Sequence, residues 1–428
     1  MKGNLPGKAV MADDNLQTEI DHLTSIVNAT RLINSTLDLD ELMEQIRKIA
    51  KDELNAEKAT IFLGDEDKRE LHSVYLEDTH LEIDLPFGSG IGGIVAETGK
   101  SLLIDDAQND PRFYKGVDEI SGYTTQTIVC APMYNKEHKL IGVFQALNSK
   151  NGKFSENDRR FLEDLSIQAA LAIENAFLYA EAKEKKKLEE DLDLARDIQK
   201  KLLPLSAPAI NGYDIAGINI PAQAVGGDYF DFVNIDKKNL IFALGDVSGK
   251  GISAALLMAS LQASFRAQSA GNVEISEMTS VLNNHICNST TSSKYITFFS
   301  GILDIDKGAV RYCNAGHNPP LIIRKQGDVE KLNTGGIPLG FVPDFQYSEE
   351  IVDLDVGDLL VVYSDGVTET FDDKQNEFAE KNLTEILLNN LEHESKEIIE
   401  NILDSLKEFS GDENFDDDVT LLIVKRTT

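Results

Sequence analysis

In the second half of the chain, aspartates recur where an apolar strand meets turn residues. IFALGDVSGKG places Asp246 there, LLVVYSDGVTE places Asp365, and NFDDDVTLLIV places Asp417 and Asp418 at the entry to a strand. AVGGDYFDF adds Asp228 behind two glycines. One such aspartate is ordinarily a turn former or a helix cap. Several, each beside a run of Val, Ile or Leu, imply strands that deliver their carboxylates to one end of a buried sheet. Carboxylates gathered there repel one another and raise each other's pKa unless a divalent cation neutralises them. Oxygen-only ligation points to magnesium or manganese rather than zinc. Two such ions about 4 Å apart hold a bridging water, lower its pKa and present hydroxide in line with a phosphorus atom. The chemistry implied is phosphoester hydrolysis without a protein nucleophile.

Other chemistries are weaker. Gly88, Gly90 and Gly93 spell GxGxxG, but the surrounding order of hairpin, short helix and antiparallel-looking strands lacks the parallel crossovers of a dinucleotide fold. GDVSGKG has only three residues between Gly245 and Gly249, and Gly251 stands where a phosphate loop needs Ser or Thr. No Arg follows Cys130, Cys287 or Cys313 at the short distance a thiolate phosphatase requires. The seven histidines form no HExxH or close ligand pair; His317, in the turn NAGHNPPL, either faces a site or serves the turn.

These residues need a scaffold, and 428 residues at about 150 per domain allow two to three domains. The charge of −32, from 41 basic and 73 acidic side chains, argues against nucleic acid as a partner. Three scattered cysteines suit a reducing compartment, and Met1 to Asp14 has no long apolar core. With no run near the roughly 18 apolar residues of a membrane span, the expectation is a cytoplasmic protein with no membrane partner.

Leu16, Ile20, Leu23 and Val27 form the apolar seam of a helix that can pair with its own copy or lie against a core. ATIFLGDEDKRELHSVYL reads as a hairpin, and DLPFGSGIGGIVAETGKSLLIDD as strand, glycine turn, short helix and strand. TIVCAPMY and LIGVFQALN add two strands. A helix then runs from about Glu156 past Leu202, with Leu188, Leu192, Ala195, Gln199 and Leu202 as a coiled-coil seam with one polar member. Pro204 and Pro208 end it, and strands and helices follow.

AVGGDYFDF, GDVSGKG, NAGHNPPL, LVVYSDGVTE and DDVTLLIV, in that order within residues 209–426, resemble the SpoIIE/RsbU branch of the metal-dependent (PPM) serine/threonine protein phosphatases. The resemblance implies an α-β-β-α sandwich of two antiparallel sheets holding two Mn2+ or Mg2+ ions at one end. It implies that Asp246 bridges both ions and that the Val247 carbonyl, Asp365 and Asp417 complete the set. Asp228 acts as a ligand directly or through water, so Asp228 and Asp246 are the expected catalytic pair, with Asp418 a neighbour. The early Arg with which animal-type members grip phosphate has no placed equivalent; Lys250 is either its substitute or a solvated loop lysine.

Residues 15–180 resemble a GAF sensory domain, a six-stranded antiparallel sheet with helices on one face and a returning C-terminal helix. LNSKNGKFSENDRR is similar to the signature of cyclic-nucleotide-binding members through Asn148, Lys150, Phe154 and Asp158, with Arg159 in place of the final Glu. A small-molecule ligand is left open. Cys130 holds a chromophore only if exposed; otherwise it is a core residue.

The expected protein is therefore α+β: a GAF domain (15–180), a helical linker (181–208) and a PPM phosphatase domain (209–426), homodimeric. By resemblance its substrate is a phosphorylated anti-sigma-factor antagonist of the STAS type. The rival readings are a catalytically inactive switch and a small-molecule receptor acting through its GAF half.

Overall fold

The computed structural model describes residues 7–73, 83–271, 274–290 and 294–428. The chain forms two compact units, Met1–Lys187 and Leu188–Thr428. Each is considered by itself.

The first unit begins with helices α1 (Gly7–Ile33) and α2 (Leu39–Glu53), then strands β1 (Ala56–Asp65), β2 (Glu70–Ser73) and β3 (Asp84–Pro86). Helix α3 (Gly90–Thr98), β4 (Leu102–Ile104), α4 (Gly116–Ser121), β5 (Ile128–Tyr134) and β6 (Leu140–Ser149) follow, and α5 (Glu156–Lys200) leads into the second unit. Asp38 caps α2 by accepting the Glu41 N–H, and Leu42, Met43, Ile46 and Ala50 form its buried stripe. That stripe packs with Leu162, Leu165, Ala169 and Ile173 of α5 against Ile61, Val129 and Phe144 of the sheet. Ile91 and Val95 of α3 cover the opposite face over Phe62, Ile128 and Val143. The sheet order is β3-β2-β1-β6-β5-β4, antiparallel at every junction, as the GAF resemblance implies.

With no parallel crossover, the GxGxxG stretch serves the turn into α3. Gly88 takes φ +82°, and a Cβ at Gly93 would lie 2.4 Å from the Pro86 carbonyl oxygen. The hairpin is β1–β2; its expected end, residues 74–76, lies outside the described residues. Along α1, Ile20, Leu23 and Val27 are exposed, and the Leu16 side chain is outside the description.

The second unit contains β7 (Tyr213–Ile220), β8 (Tyr229–Asn234), β9 (Asn239–Val247), α6 (Ile252–Gln268), α7 (Ile275–Ser289), β10 (Ile296–Asp304) and β11 (Ala309–Ala315). Next come β12 (Leu321–Ile323), β13 (Val329–Lys331), β14 (Gly335–Gly336), β15 (Glu350–Asp353) and β16 (Leu359–Tyr363). Helices α8 (Asp365–Thr368), α9 (Ala379–Asn389) and α10 (Ser395–Ser410) precede the last strand, β17 (Val419–Arg426). One sheet runs β14-β11-β10-β9-β8 with β15 on β11; the other runs β13-β12-β16-β17-β7.

Strand alternation makes the layers. On β16, Leu360 and Val362 point inward to meet Leu240, Phe242, Leu244 and Phe299 between the sheets. Leu359, Val361 and Tyr363 point outward under Leu383, Leu387, Ile398 and Ile402 of α9 and α10. Helices α6 and α7 cover the other sheet with Met258, Leu261, Phe265, Leu282 and Ile286. The result is the α-β-β-α sandwich the resemblance implies.

The linker helix departs from its expected form in two ways. It ends at Lys200, and Lys201 and Leu202 form turns by donating to the Ile198 and Gln199 carbonyls. Leu192, Ala195, Gln199 and Leu202 are half-buried within the unit, whereas Leu188, Leu194 and Ile198 are exposed. Of the expected seam only Leu188 is exposed, beside Leu194 and Ile198.

Candidate active site

The two sheets bring their aspartates to one end of the sandwich. Asp246 is the penultimate residue of β9, and Asp228 immediately precedes β8, whose Tyr229 pairs with Gly245. In the other sheet Tyr363 of β16 pairs with Leu421 of β17. Asp365, two residues beyond Tyr363, and Asp417 and Asp418, just before β17, therefore share that sheet's corresponding edge.

Their electrostatics are those of uncompensated charge. Burial, then Asp246 and Asp418, drive the Asp228 carboxyl well above the usual carboxylate range. Burial, then Asp365 and Asp417, push Asp246 up to about 7. Burial, then Glu369 and Asp417, push Asp365 up to about 6. Asp228 is 2 % exposed and accepts the Thr420 hydroxyl at 2.5 Å.

Asp418, adjacent in sequence, does different work. Its Oδ1 accepts the Ala222 N–H at 2.8 Å, and its Oδ2 accepts those of Gly227 at 2.6 Å and Asp228 at 3.3 Å. It therefore folds residues 222–228 over the site, with its oxygens already engaged. A Cβ at Gly226 would lie 2.7 Å from that Oδ2, so the loop needs glycine for close approach. A Cβ at Gly227 would lie 3.1 Å from the Val247 carbonyl oxygen, which places that carbonyl beside the same loop. A Cβ at Gly366 would lie 2.2 Å from the Asp418 carbonyl oxygen. Ser364 Oγ donates to that carbonyl at 3.0 Å and accepts the Thr420 N–H at 2.9 Å, locking the two strand ends together.

The end of α5 also reaches this loop. Gln199 donates through Nε2 to the Gly226 carbonyl at 2.7 Å and accepts the Gly226 N–H at 3.0 Å, while Arg196 Nε donates to the Ala224 carbonyl at 2.9 Å. Lys250 lies 3.1 Å from Asp417 and donates to the Asp416 carbonyl at 2.6 Å, so its ammonium is held by the acidic loop. Lys250 is an exposed loop lysine, the second of its two expected roles, with its ammonium against the acidic loop.

Oxygen donors on short aspartate stems, buried and raising one another's pKa, fit a hard divalent cation. Among the described residues no three acidic, His or Cys side chains are already drawn together tightly enough to grip an ion. The fit therefore rests on donor chemistry and charge. Glu369, Thr420 and Ser364 are members of this neighbourhood that the strand-end rule missed. Glu369 follows Asp365 by four residues, one helical turn, which is the signal that could have found it. His317 makes no hydrogen bond to these carboxylates; its Nδ1 lies 2.9 Å from Thr297 Oγ1.

In the first unit the signature residues are structural. Asn148 adopts φ +53°, accepts the Gln126 and Thr127 N–H groups at 2.6 and 3.2 Å, and donates to Glu57 and the Thr124 carbonyl. Asp158 accepts the Ser155 N–H at 2.6 Å at the start of α5; Phe154 is buried; the Lys150 N–H donates to the Asn55 carbonyl. Arg159 pairs with Glu156 and Glu163. None of these lines the small recess, about 60 Å3, formed by Phe62, Ile91, Phe113, Tyr114 and Leu147. Cys130 is fully buried and its thiol pKa is driven upward by burial, which makes it a core residue.

Residues 236–427 match the family described as Stage II sporulation protein E (SpoIIE). The chain is 31% identical over 241 residues to phosphoserine phosphatase RsbU of Bacillus subtilis, covering 56% of this chain and 71% of RsbU. The chain belongs to the SpoIIE-type family of PPM protein phosphatases. Protein IcfG of Synechocystis sp. is 27% identical over 268 residues, covering 55% of this chain and 41% of IcfG. The SiaA-PP2C domain of Pseudomonas aeruginosa shares the fold, with a TM-score of 0.50 and 20% identity over 58% of this chain and all of that one. Residues 36–174 match the GAF domain. The SpoIIE-type match falls on the unit that carries the aspartates, and the GAF match on the six-stranded unit. The SpoIIE-type family is metal-dependent, in keeping with the hard donors assembled here.

Proposed function

We propose that this SpoIIE-type phosphatase removes phosphate from a serine or threonine of a protein, that Asp228, Asp246, the Val247 carbonyl, Asp365 and Asp417 hold two Mn2+ or Mg2+ ions, and that residues 15–180 act as the sensor, 181–208 as the linker and 209–426 as the catalytic domain. The observation that carries the reading is the convergence of Asp228, Asp246, Asp365 and Asp417 at one end of the sandwich, where burial and neighbouring carboxylates push the first three carboxyls upward. Cations bound there supply Lewis-acid activation of water and neutralise developing charge on phosphorus. The chain's part is to keep the carboxylates ionised and convergent. Asp418 holds the Asp228 loop, Thr420 orients the Asp228 carboxylate, and Ser364 ties the Asp365 turn to β17. No thiol is assigned a part: Cys130 and Cys313 are buried, and Cys287, half-buried on α7, donates to Asn283 Oδ1.

RsbU is named a phosphoserine phosphatase, and the likeness supports a phosphorylated anti-sigma-factor antagonist of the STAS type as the substrate. Among the described residues no helix is long and apolar enough to cross a membrane, which supports a cytoplasmic site of action. Hydrolysis of p-nitrophenyl phosphate by the purified chain tests the reading. Turnover should require Mn2+, stop with chelator and survive iodoacetamide. Turnover that persists in chelator, or no turnover with any divalent cation, would reject it.

A further inference from the structure

His317 is a buried polar group for which the site described above has no use. It sits in a turn built to hold it. Strand β11 ends at Ala315, and Gly316 bends back with φ +68°. The Asn314 amide fastens the bend, donating to the His317 and Leu332 carbonyls at 3.1 and 3.0 Å and accepting the His317 N–H at 2.7 Å. A Cβ at Gly316 would lie 2.4 Å from Pro338, so the bend packs in one way. The imidazole is thereby delivered to a fixed place, 5 % exposed.

Nδ1 lies 2.9 Å from Thr297 Oγ1, and Thr297 is the direct cross-strand partner of Asp246 in the β10–β9 ladder. Side chains at such a pair leave the sheet on the same face, with Cβ atoms roughly 5 Å apart. Nε2 is buried with no hydrogen-bond partner among the described residues, and a backbone group of Tyr363, the last residue of β16 and two before Asp365, acts on the imidazole. With the ring proton on Nε2, the threonine hydroxyl donates to Nδ1. A phenyl ring would fill this space without burying an unpaired nitrogen, so packing alone does not call for histidine.

We infer that His317 is a positioning residue for the metal site, bracing β10 against β16 so that Thr297 beside Asp246 and the backbone leading to Asp365 keep a fixed separation. The inference rests on the proposed ligand roles of Asp246 and Asp365.

Mn2+ binding to the full chain, measured by titration calorimetry, tests it alongside thermal melting in chelator. Thr297→Val keeps the shape and removes the hydroxyl; it should weaken Mn2+ binding about tenfold, and Thr297→Ser should restore it to within about twofold, with the melting temperature in chelator unchanged. His317→Asn should weaken binding similarly, and the double variant should be no weaker than the worse single one, because both changes cut the same brace. Parent-like Mn2+ binding by Thr297→Val, a lower melting temperature with unmoved affinity, or additive losses would overturn the inference. Should His317→Asn fail to fold, the two Thr297 variants decide. Asp246→Asn separates the two levels. If it binds Mn2+ as the parent does, the metal-site reading falls and the brace with it. If it loses Mn2+ while Thr297→Val does not, the brace alone falls.

Discussion

Gln199 and Gly226 grip each other through both halves of the glutamine amide, at 2.7 and 3.0 Å. The last turn of the linker helix is thus fastened to the loop whose next turn presents Asp228. Any rotation of that helix must move the loop or break the grip. Gln199→Ala removes two hydrogen bonds worth together about 1–3 kcal/mol, and it should raise the Mn2+ concentration for half-maximal hydrolysis several-fold. Insertions after Lys187 probe the same link. Four residues rotate the downstream helix by about 40°, while seven restore the phase to within about 20°. Hydrolysis rates should change strongly with four and weakly with seven, and equal rates in both would make the linker a tether.

Asp246→Asn should abolish Mn2+-dependent hydrolysis and also change stability in a pH-dependent way. The Asp246 carboxyl, at about 7 in the fold against 3.8 in an exposed chain, holds its proton more tightly when folded. Its contribution to stability is therefore full below pH 4 and lost as pH rises through 7. In chelator, the Asn variant should melt higher than the parent at pH 8 and alike near pH 3.5. Differential scanning fluorimetry at the two pH values checks the sign. Asp236→Asn, in an exposed turn where Asp236 accepts the Lys238 and Asn239 N–H groups, should leave hydrolysis unchanged.

Asp418→Ala should behave oppositely to Asp246→Asn. It strips the acceptor from the Ala222, Gly227 and Asp228 amides, a loss on the order of 3 kcal/mol, and urea denaturation should show it with or without Mn2+. Gly366→Ala forces a methyl against the Asp418 carbonyl and should cost about 1–3 kcal/mol by the same measurement, with hydrolysis lost as the Asp365 turn shifts.

Large apolar side chains are exposed on the two long helices. Ile20, Leu23 and Val27 on α1, and Leu188, Leu194 and Ile198 on α5, are each about half exposed. We propose that they pair in a homodimer. Leu194→Asp should then shift sedimentation from dimer to monomer, whereas Leu192→Asp should chiefly destabilise the catalytic unit, in which Leu192 is half-buried.

The layers and the cluster of aspartates were legible because both follow from local pattern. Strands such as β16 and β17 are announced by apolar runs, and an Asp at the end of such a run shares an edge with its neighbours once the strands pair. Asp418 was not legible in its actual role. It has the same chemistry as Asp417 one residue away, and only the return of residues 222–228, about 190 positions earlier, decides that it binds backbone. Gln199 misled for a related reason, since its heptad spacing is that of a seam while its partner is a distant glycine carbonyl. Likewise Asn148 and Asp158 have the residue types of a ligand signature, but their side chains are spent on nearby amides.

Strand β17 lies between β16 and β7 in its sheet, pairing Val419 with Ile220 and Arg426 with Tyr213 across some two hundred residues of chain. The first strand of the catalytic unit to leave the ribosome therefore waits for the last. Until β17 emerges, β7 has no neighbour, Asp228 lacks Thr420, and the loop of Gly226 lacks Asp418. A nascent chain that has not yet delivered β17 thus lacks the pairing and side chains that complete the aspartate end of the sandwich.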